Sequence, residues 1–221
     1  MGSLPILKCP GCGNPLIQPV IPDKIRAATS YQTCMRQCEK CGIGASNAEK
    51  NATYIYREPL KNIPRESRPG VLEVLERALN VRNRESKLAR FGFSTSEDAV
   101  TWVVFNYLYR AGKLLEGLKG AGLIGTTMKT EPAAVLLWGV SLDRSPRGAE
   151  LESRLKTACA SLGEYSNSYS EPDVLIDLGD DGVIFIEVKY LSGNEFKNFD
   201  YSGWDRYSRH FPGRRALFAK Q

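Results

Sequence analysis

Two short apolar runs in the C-terminal third of the chain, joined by a turn, place the strongest constraint on its fold. Residues 174–176 and 183–186 consist only of valine, leucine, isoleucine and phenylalanine, and residues 179–182 read Gly-Asp-Asp-Gly. Apolar runs bounded by glycine and aspartate are typical of strands joined by a tight turn. The pattern therefore predicts a β-hairpin whose strands are apolar on both faces and are buried within a sheet.

Three charged residues flank this hairpin at one of its ends. Asp173 directly precedes the first strand, whereas Glu187 and Lys189 end the second strand and project from one face, since side chains alternate along a strand. Two carboxylates and an ammonium group at the edge of a buried sheet are costly to desolvate unless they bind something. A divalent metal ion with an activated water would meet this requirement, and the backbone carbonyl of Val188 is a further candidate ligand. These residues predict a nuclease centre, and the alternative interpretation is an exposed salt bridge at a strand end.

The residues Pro172-Asp173 and Glu187-Val188-Lys189, separated by one hairpin, resemble the motif of the PD-(D/E)xK nuclease superfamily. That superfamily includes type II restriction enzymes and archaeal Holliday junction resolvases. The resemblance implies an α/β, restriction endonuclease-like core of one helix, three antiparallel strands, a second helix and a closing strand, over residues of about 147–221. It also implies a catalytic site in which Asp173 and Glu187 bind magnesium or manganese, while Lys189 positions the attacking water.

The resemblance extends to the helix before the hairpin. Residues 147–155 look like the opening of the resolvase helix, which carries a glutamate four residues after a glycine. This similarity gives Glu152 the role of an additional magnesium ligand and catalytic residue. Glu97 is the alternative, if the helix that it opens is the first helix of the core. Asp177 lies one strand repeat beyond Asp173, and we expect a structural role for it.

Residues 1 to about 50 contain five of the six cysteines of the chain. Four of them form two Cys-x-x-Cys-Gly turns, and two such turns place four thiolates at the corners of a tetrahedron. The predicted ligands of a structural zinc ion are Cys9, Cys12, Cys38 and Cys41. The pattern resembles a zinc ribbon, whose four sulfur ligands leave no open position for catalysis. We expect Cys34 to be a bystander, with substitution for one of the four ligands as the alternative, and Cys159 to be a core residue.

Composition divides the chain into three parts. Residues 1–50 are predicted to form the zinc ribbon, and residues 51–70, which contain three prolines, are predicted to be a linker. Residues 71–221 are predicted to form the nuclease domain, in which helices precede the core.

The charge of the chain is compatible with a nucleic-acid partner. The formal net charge is +5, and basic residues near the C-terminus alternate with aromatic ones, a mixture that suits phosphate contacts and base stacking. The residues are Lys197, Arg206, Arg209, Arg214 and Arg215, interleaved with Phe199, Tyr201, Trp204 and Tyr207. A solvated surface helix whose aromatic residues face the core is the alternative. His210, the single histidine, is expected to be a packing or surface residue.

These features together predict a magnesium-dependent DNA endonuclease that hydrolyses phosphodiester bonds in restriction, in another form of defence, or in DNA repair and recombination. Its expected partners are duplex DNA and a second copy of the chain. No apolar run approaches the length of a membrane helix and the first residues lack the features of a signal peptide, so we expect a cytoplasmic protein. The alternatives are a catalytically silent zinc-ribbon protein that binds nucleic acid or acts as an adaptor, and an RNA-directed nuclease.

Overall fold

The structure, a computed structural model, describes residues 3–19, 24–129, 131–191 and the backbone of Ala216–Phe218. The chain divides into two compact units. Unit 1 contains Met1–Arg68 and Ser86–Ala99, and unit 2 contains Pro69–Glu85 and Val100–Gln221. None of the helices in the described part of the chain has the length and apolar character needed to cross a membrane.

The bounds of the regular elements are as follows. The strands are β1 (Leu7–Lys8), β2 (Pro15–Leu16), β3 (Arg36–Cys38), β4 (Ile43–Ala45), β5 (Tyr54–Tyr56), β6 (Ala134–Leu137), β7 (Val140–Ser141), β8 (Val174–Asp177), β9 (Val183–Ile186) and β10 (Ala216–Phe218). The helices are α1 (Val71–Arg77), α2 (Arg84–Phe91), α3 (Glu97–Arg110), α4 (Leu114–Gly120) and α5 (Pro146–Ser161).

Unit 1 is built from two small antiparallel sheets. β1 pairs with β2, and β3, β4 and β5 form a three-stranded sheet in that order. Residues 51–70, predicted to be a linker, contain β5, whose central residue Ile55 is buried while its two tyrosines are half-buried. Alternating burial of an isoleucine and two tyrosines is typical of a β-strand. The linker prediction was based on the prolines that follow this strand. The segment contributes β5 as the third strand of the second sheet of unit 1.

Unit 2 contains a five-stranded sheet with the order β7-β6-β8-β9-β10. β10 runs parallel to β9, and the other neighbouring pairs are antiparallel. The predicted hairpin is confirmed: β8 and β9 pair in a register that sets Val174 opposite Ile186 and Asp177 opposite Val183. Every residue of β6, β8 and β9 is buried, as expected for apolar strands in the middle of a sheet.

The order of elements along the chain differs from the predicted core in one respect. The resemblance implies a helix followed by three antiparallel strands, but α5 is followed by only two, β8 and β9, while their antiparallel neighbour β6 precedes α5. A tight turn follows β6 and forms a short additional strand before α5. Trp138 and Gly139 have φ angles of 50° and 77°, and they fold β7 back along β6 before α5 begins. The predicted second helix lies outside the described residues.

The helix α5 covers the sheet of unit 2. Ser145 caps it by accepting a hydrogen bond from the backbone N–H of Gly148, and Pro146 occupies the first helical position. Leu151, Leu155 and Ala158 lie on one face, as their spacing predicts, and they pack in one core cluster with residues of β6, β8 and β9. The sheet thereby receives one of its covering layers, and the two strand ends that carry charged residues remain at its margin.

Candidate functional sites

The four cysteines predicted to bind zinc lie together in unit 1. The Sγ atoms of the four residues all lie within 4.8 Å of one another, and those of Cys12 and Cys38 are 3.7 Å apart. The four residues are Cys9, Cys12, Cys38 and Cys41. A tetrahedral site with zinc–sulfur bonds of about 2.3 Å has sulfur–sulfur edges of about 3.8 Å. The donor set therefore has the chemistry and the spacing to hold a structural metal such as zinc.

Two similar turns bring these thiols together. The N–H of Gly13 donates to the carbonyl of Cys9 and the N–H of Gly42 donates to the carbonyl of Cys38, each at 2.8 Å. Gly13 and Gly42 have φ angles of 74° and 65°, in the left-handed region that glycine adopts without steric cost. The glycine after each Cys-x-x-Cys pair is thus what allows the chain to close each turn around its sulfur atoms.

The protonation of these thiols reflects their mutual contact. A hydrogen bond from the backbone N–H of Asn14 is the largest influence on Cys12 and lowers its pKa to about 7. The hydrogen bond that Cys41 shares with Cys12 raises the pKa of Cys41 to about 12, and burial raises the pKa of Cys9. Binding of a divalent metal ion requires the thiolate form of all four cysteines, so metal binding would release protons from this cluster.

The other two cysteines have separate environments, as predicted. Cys34 is absent from the sulfur cluster and packs in an apolar cluster with Tyr31 and Ile55. Burial raises the pKa of Cys34 to about 11. Cys159 lies on α5 and is fully buried in the core that this helix forms with the sheet. Both behave as packing residues.

The structure brings Asp173, Glu187 and Lys189 to the same end of neighbouring strands. The Oδ2 atom of Asp173 accepts a hydrogen bond of 2.8 Å from the backbone N–H of Val188. Continuing the register of β8 and β9 by one residue sets Asp173 opposite Glu187. The Nζ atom of Lys189 lies 2.8 Å from Oε1 of Glu187, and both side chains are partly open to solvent. Two carboxylates, an ammonium group and the Val188 backbone thus share one sheet margin.

Glu152 does not join this group. Its carboxylate accepts a hydrogen bond of 2.7 Å from the backbone N–H of Ser141 and lies 3.0 and 3.1 Å from Nη2 of Arg77. Ser141 belongs to β7, which is three strand positions from β9 and therefore about 14 Å away, since neighbouring strands are about 4.8 Å apart. Within the described part of the chain, only one group of three or more cysteine, histidine or acidic residues lies close enough together to share a metal ion. That group is the four cysteines. The structure therefore does not support Glu152 as a ligand beside Glu187.

Among the remaining acidic residues, Asp98 and Asp177 form ion pairs. Glu97 opens α3 within unit 1, and its neighbour Asp98 forms a largely buried ion pair of 3.0 Å with Lys87. Asp177 is fully buried, and its carboxylate binds Nε of Arg147 at 2.7 Å and the N–H of Gly179 at 2.9 Å. These contacts agree with the structural role expected for Asp177.

Two residues that hold Glu152, Arg77 and Ser141, were missed by the sequence reasoning. Each contacts Glu152 across a large sequence separation or through its backbone, so no local pattern could have identified them. The predicted basic and aromatic segment 197–215, with His210, lies outside the described residues.

Comparisons of the chain with protein-family models, with curated proteins and with solved structures find no match. The resemblance to the PD-(D/E)xK nucleases therefore rests on the motif residues and on the positions that the strands give them.

Proposed function

We propose that the chain is a metal-dependent nuclease whose catalytic centre is formed by Asp173, Glu187 and Lys189. The observation that carries the proposal is the hydrogen bond between Oδ2 of Asp173 and the N–H of Val188. This bond joins the start of β8 to the end of β9, and it fixes one carboxylate beside the segment that provides the other carboxylate and the lysine. Asp173 and Glu187 are fourteen residues apart in the sequence, but they lie on neighbouring strands of the sheet.

The residues at this margin suit phosphodiester hydrolysis. Asp173, Glu187 and the carbonyl of Val188 offer oxygen ligands, the type that magnesium and manganese prefer. A bound Mg²⁺ or Mn²⁺ would lower the pKa of the attacking water and stabilise the negative charge that develops on the phosphate. Lys189 would orient that water and offset the same developing charge. Its present partner is Glu187, so metal binding at Glu187 would release the ammonium group toward the substrate.

The arrangement of the sheet supports a restriction endonuclease-like core as part of the same proposal. β6, β8 and β9 are three antiparallel neighbours, and β10 runs parallel to β9 at the edge. This mixed sheet is the kind that the resemblance implies, although the helix α5 enters between β6 and β8 rather than before all three. In this proposal Glu152 supports the edge strand β7 and has no part in catalysis.

The proposed substrate is duplex DNA, and the proposed roles are restriction or another form of defence, or DNA repair and recombination. The net charge of +5 supports an anionic substrate, and the metal-holding ribbon of unit 1 would provide a second surface for DNA. Cleavage of both strands would favour a homodimer, and the cytoplasm is the expected location.

A catalytically silent nucleic-acid-binding or adaptor protein is the second candidate. It is favoured by the ion pair between Lys189 and Glu187 and by the absence of a third carboxylate near them among the described residues. An RNA-directed nuclease would use the same residues on a different substrate.

The decisive experiment compares cleavage of plasmid DNA, branched DNA and RNA, with magnesium or manganese, by the full chain and by three variants. Lys189→Ala should lower the cleavage rate by about 100-fold or more, the typical contribution of a group that assists proton transfer. Lys156→Ala, at an exposed position of α5, is the matched control and should leave the rate unchanged. Glu152→Gln should also retain cleavage if its role is structural.

Several outcomes would decide between the candidates. Cleavage of RNA alone would assign the RNA-directed activity. If the full chain binds DNA but cleaves none of the substrates with either metal, the silent protein is the correct interpretation. Equal cleavage by the full chain and Lys189→Ala would remove this site from the mechanism.

A further inference from the structure

A small cavity in unit 2 is separate from the proposed nuclease centre. It has a volume of about 190 Å³ and is partly open to solvent. Its walls come from the start of α1, from one face of α3 and from the segment that joins β7 to α5. Pockets for drug-sized ligands have volumes of roughly 300–1,000 Å³, so this cavity suits a smaller molecule.

One wall carries a fixed negative charge, Asp143. Its Oδ1 atom accepts hydrogen bonds from Oγ of Ser141 at 2.8 Å and from the N–H of Ser145 at 2.9 Å, and its Oδ2 atom accepts from the Tyr109 hydroxyl at 2.7 Å. Burial opposes ionisation of Asp143, but these hydrogen bonds together lower its pKa below the ordinary value. No lysine or arginine of the described residues forms an ion pair with it. Asp143 is therefore a well-oriented carboxylate without a cationic partner in that part of the chain.

A second wall carries a fixed positive charge, Arg110. Its Nε atom donates to Oδ1 of Asn106 at 3.0 Å, and Asn106 is itself 4% exposed. The Nη2 atom of Arg110 lies close to the lining residue Gly70. A Cβ atom added to this glycine would be 3.8 Å from that Nη2 atom. No acidic side chain within the described ranges forms an ion pair with Arg110. The guanidinium is thus held toward the cavity by a neutral, buried partner.

The other charged residues of the lining neutralise each other. The Nε atom of Arg144 lies 2.9 Å from Oε1 of Glu73, and Nη2 of Arg144 binds the same oxygen. What remains uncompensated in the cavity is one carboxylate and one guanidinium, which do not pair with each other. Trp102 and Val74 contribute apolar surface to the lining of the same cavity.

We propose that this cavity binds a small zwitterion of the amino-acid class, whose carboxylate is bound by Arg110 and whose ammonium group is bound by Asp143. Both protein groups are oriented by existing hydrogen bonds, so little side-chain entropy is lost on binding. Charge-assisted hydrogen bonds at both ends would fix the orientation of the ligand. The side chain of Asn106 lies beside Arg110 and offers an amide N–H to the same carboxylate.

The test uses calorimetric titration of the full chain with glycine, β-alanine and γ-aminobutyrate, which span three separations of the two charges. Butyrate and butylamine, each with only one of these charges, are the controls for the ligand. Arg110→Gln and Asp143→Asn remove one wall charge each, and Arg154→Gln is the control for the protein because Arg154 pairs with Glu150 on the surface of α5. Tryptophan fluorescence provides a second readout because Trp102 lines the cavity.

We expect at least one zwitterion to bind, butyrate and butylamine to bind at least tenfold more weakly, and each wall variant to weaken binding at least tenfold. Arg154→Gln should bind like the full chain. The proposal is overturned if none of the three zwitterions binds at about 10 mM, a concentration that would detect even millimolar affinity. It is also overturned if butyrate binds as tightly as the zwitterions, or if Arg110→Gln has no effect. Should Asp143→Asn fail to fold, Arg110→Gln and the single-charge ligands still decide the result.

Discussion

Replacing Asp177 by asparagine tests whether this residue stabilises the fold or serves catalysis. The Asp177 carboxylate is fully buried, and one of its oxygens binds Arg147 at 2.7 Å. Removing one partner of a buried ion pair costs about 3–5 kcal/mol. The Arg147 side chain is 32% exposed and retains Glu150 as a partner, and asparagine can still accept the hydrogen bond from Gly179. We therefore expect the lower end of that range, about 3 kcal/mol.

The assay is urea unfolding followed by tryptophan fluorescence, because Trp102 and Trp138 are buried in unit 2 and stack on each other there. In a parallel thermal unfolding experiment, the same loss should lower Tm by about 6–12 °C. Asp180→Asn, in the exposed turn of the same hairpin, is the control and should unfold like the unmodified chain.

A double variant of Asp177→Asn and Arg147→Gln should lose much less than the sum of the two single losses, since both changes remove the same ion pair. The reasoning is refuted if Asp177→Asn changes the free energy of unfolding by less than about 0.5 kcal/mol, the range of ordinary surface substitutions. Loss of cleavage at unchanged stability would instead make Asp177 part of the catalytic site.

Two further predictions concern the metal cluster and the cavity. A strong chelator should unfold unit 1, because metal binding of this type contributes about 10–16 kcal/mol to folding. Mass spectrometry after maleimide treatment should then show that Cys34 is modified and that the fully buried Cys159 of unit 2 is protected. Equal modification of both cysteines would contradict this prediction. Asp143→Asn should lower the urea midpoint of unit 2 at pH 7. Because the pKa of Asp143 in the folded protein lies below its ordinary value of 3.8, its contribution is complete above that value and is lost as the pH falls through the folded pKa. The two midpoints should therefore converge in acid, and a constant difference from pH 7 to pH 3 would contradict this.

The hairpin and the cysteine cluster could be predicted because their determinants are local. The apolar runs of β8 and β9 flank a turn of only a few residues, and the register follows from that turn. The Cys-x-x-Cys-Gly turns likewise specify their own geometry, through the positive φ angles of Gly13 and Gly42. In both cases the residues that form the feature also determine its backbone.

The order of the sheet could not be predicted in the same way. β6 pairs with β8 although α5 separates them in the chain, and this pairing depends on how α5 packs across the sheet. β5, which lies within the predicted linker, is a related case, since it pairs with β4 on one side and bridges Phe93 on the other. Strand pairing is an interaction between distant segments, and a composition rich in proline on one side of a strand does not reveal it.

Glu152 shows where a resemblance between sequences stops being informative. The spacing from Gly148 places the glutamate on α5, but its direction is determined by Arg77 and by the N–H of Ser141, neither of which belongs to the motif. The short strand β7, formed by the turn at Trp138 and Gly139, places that N–H at the edge of the sheet farthest from β9. The nuclease proposal therefore depends on the residues that β8 and β9 bring together. Retention of cleavage by Glu152→Gln, together with a lower unfolding midpoint, is the result that this arrangement requires.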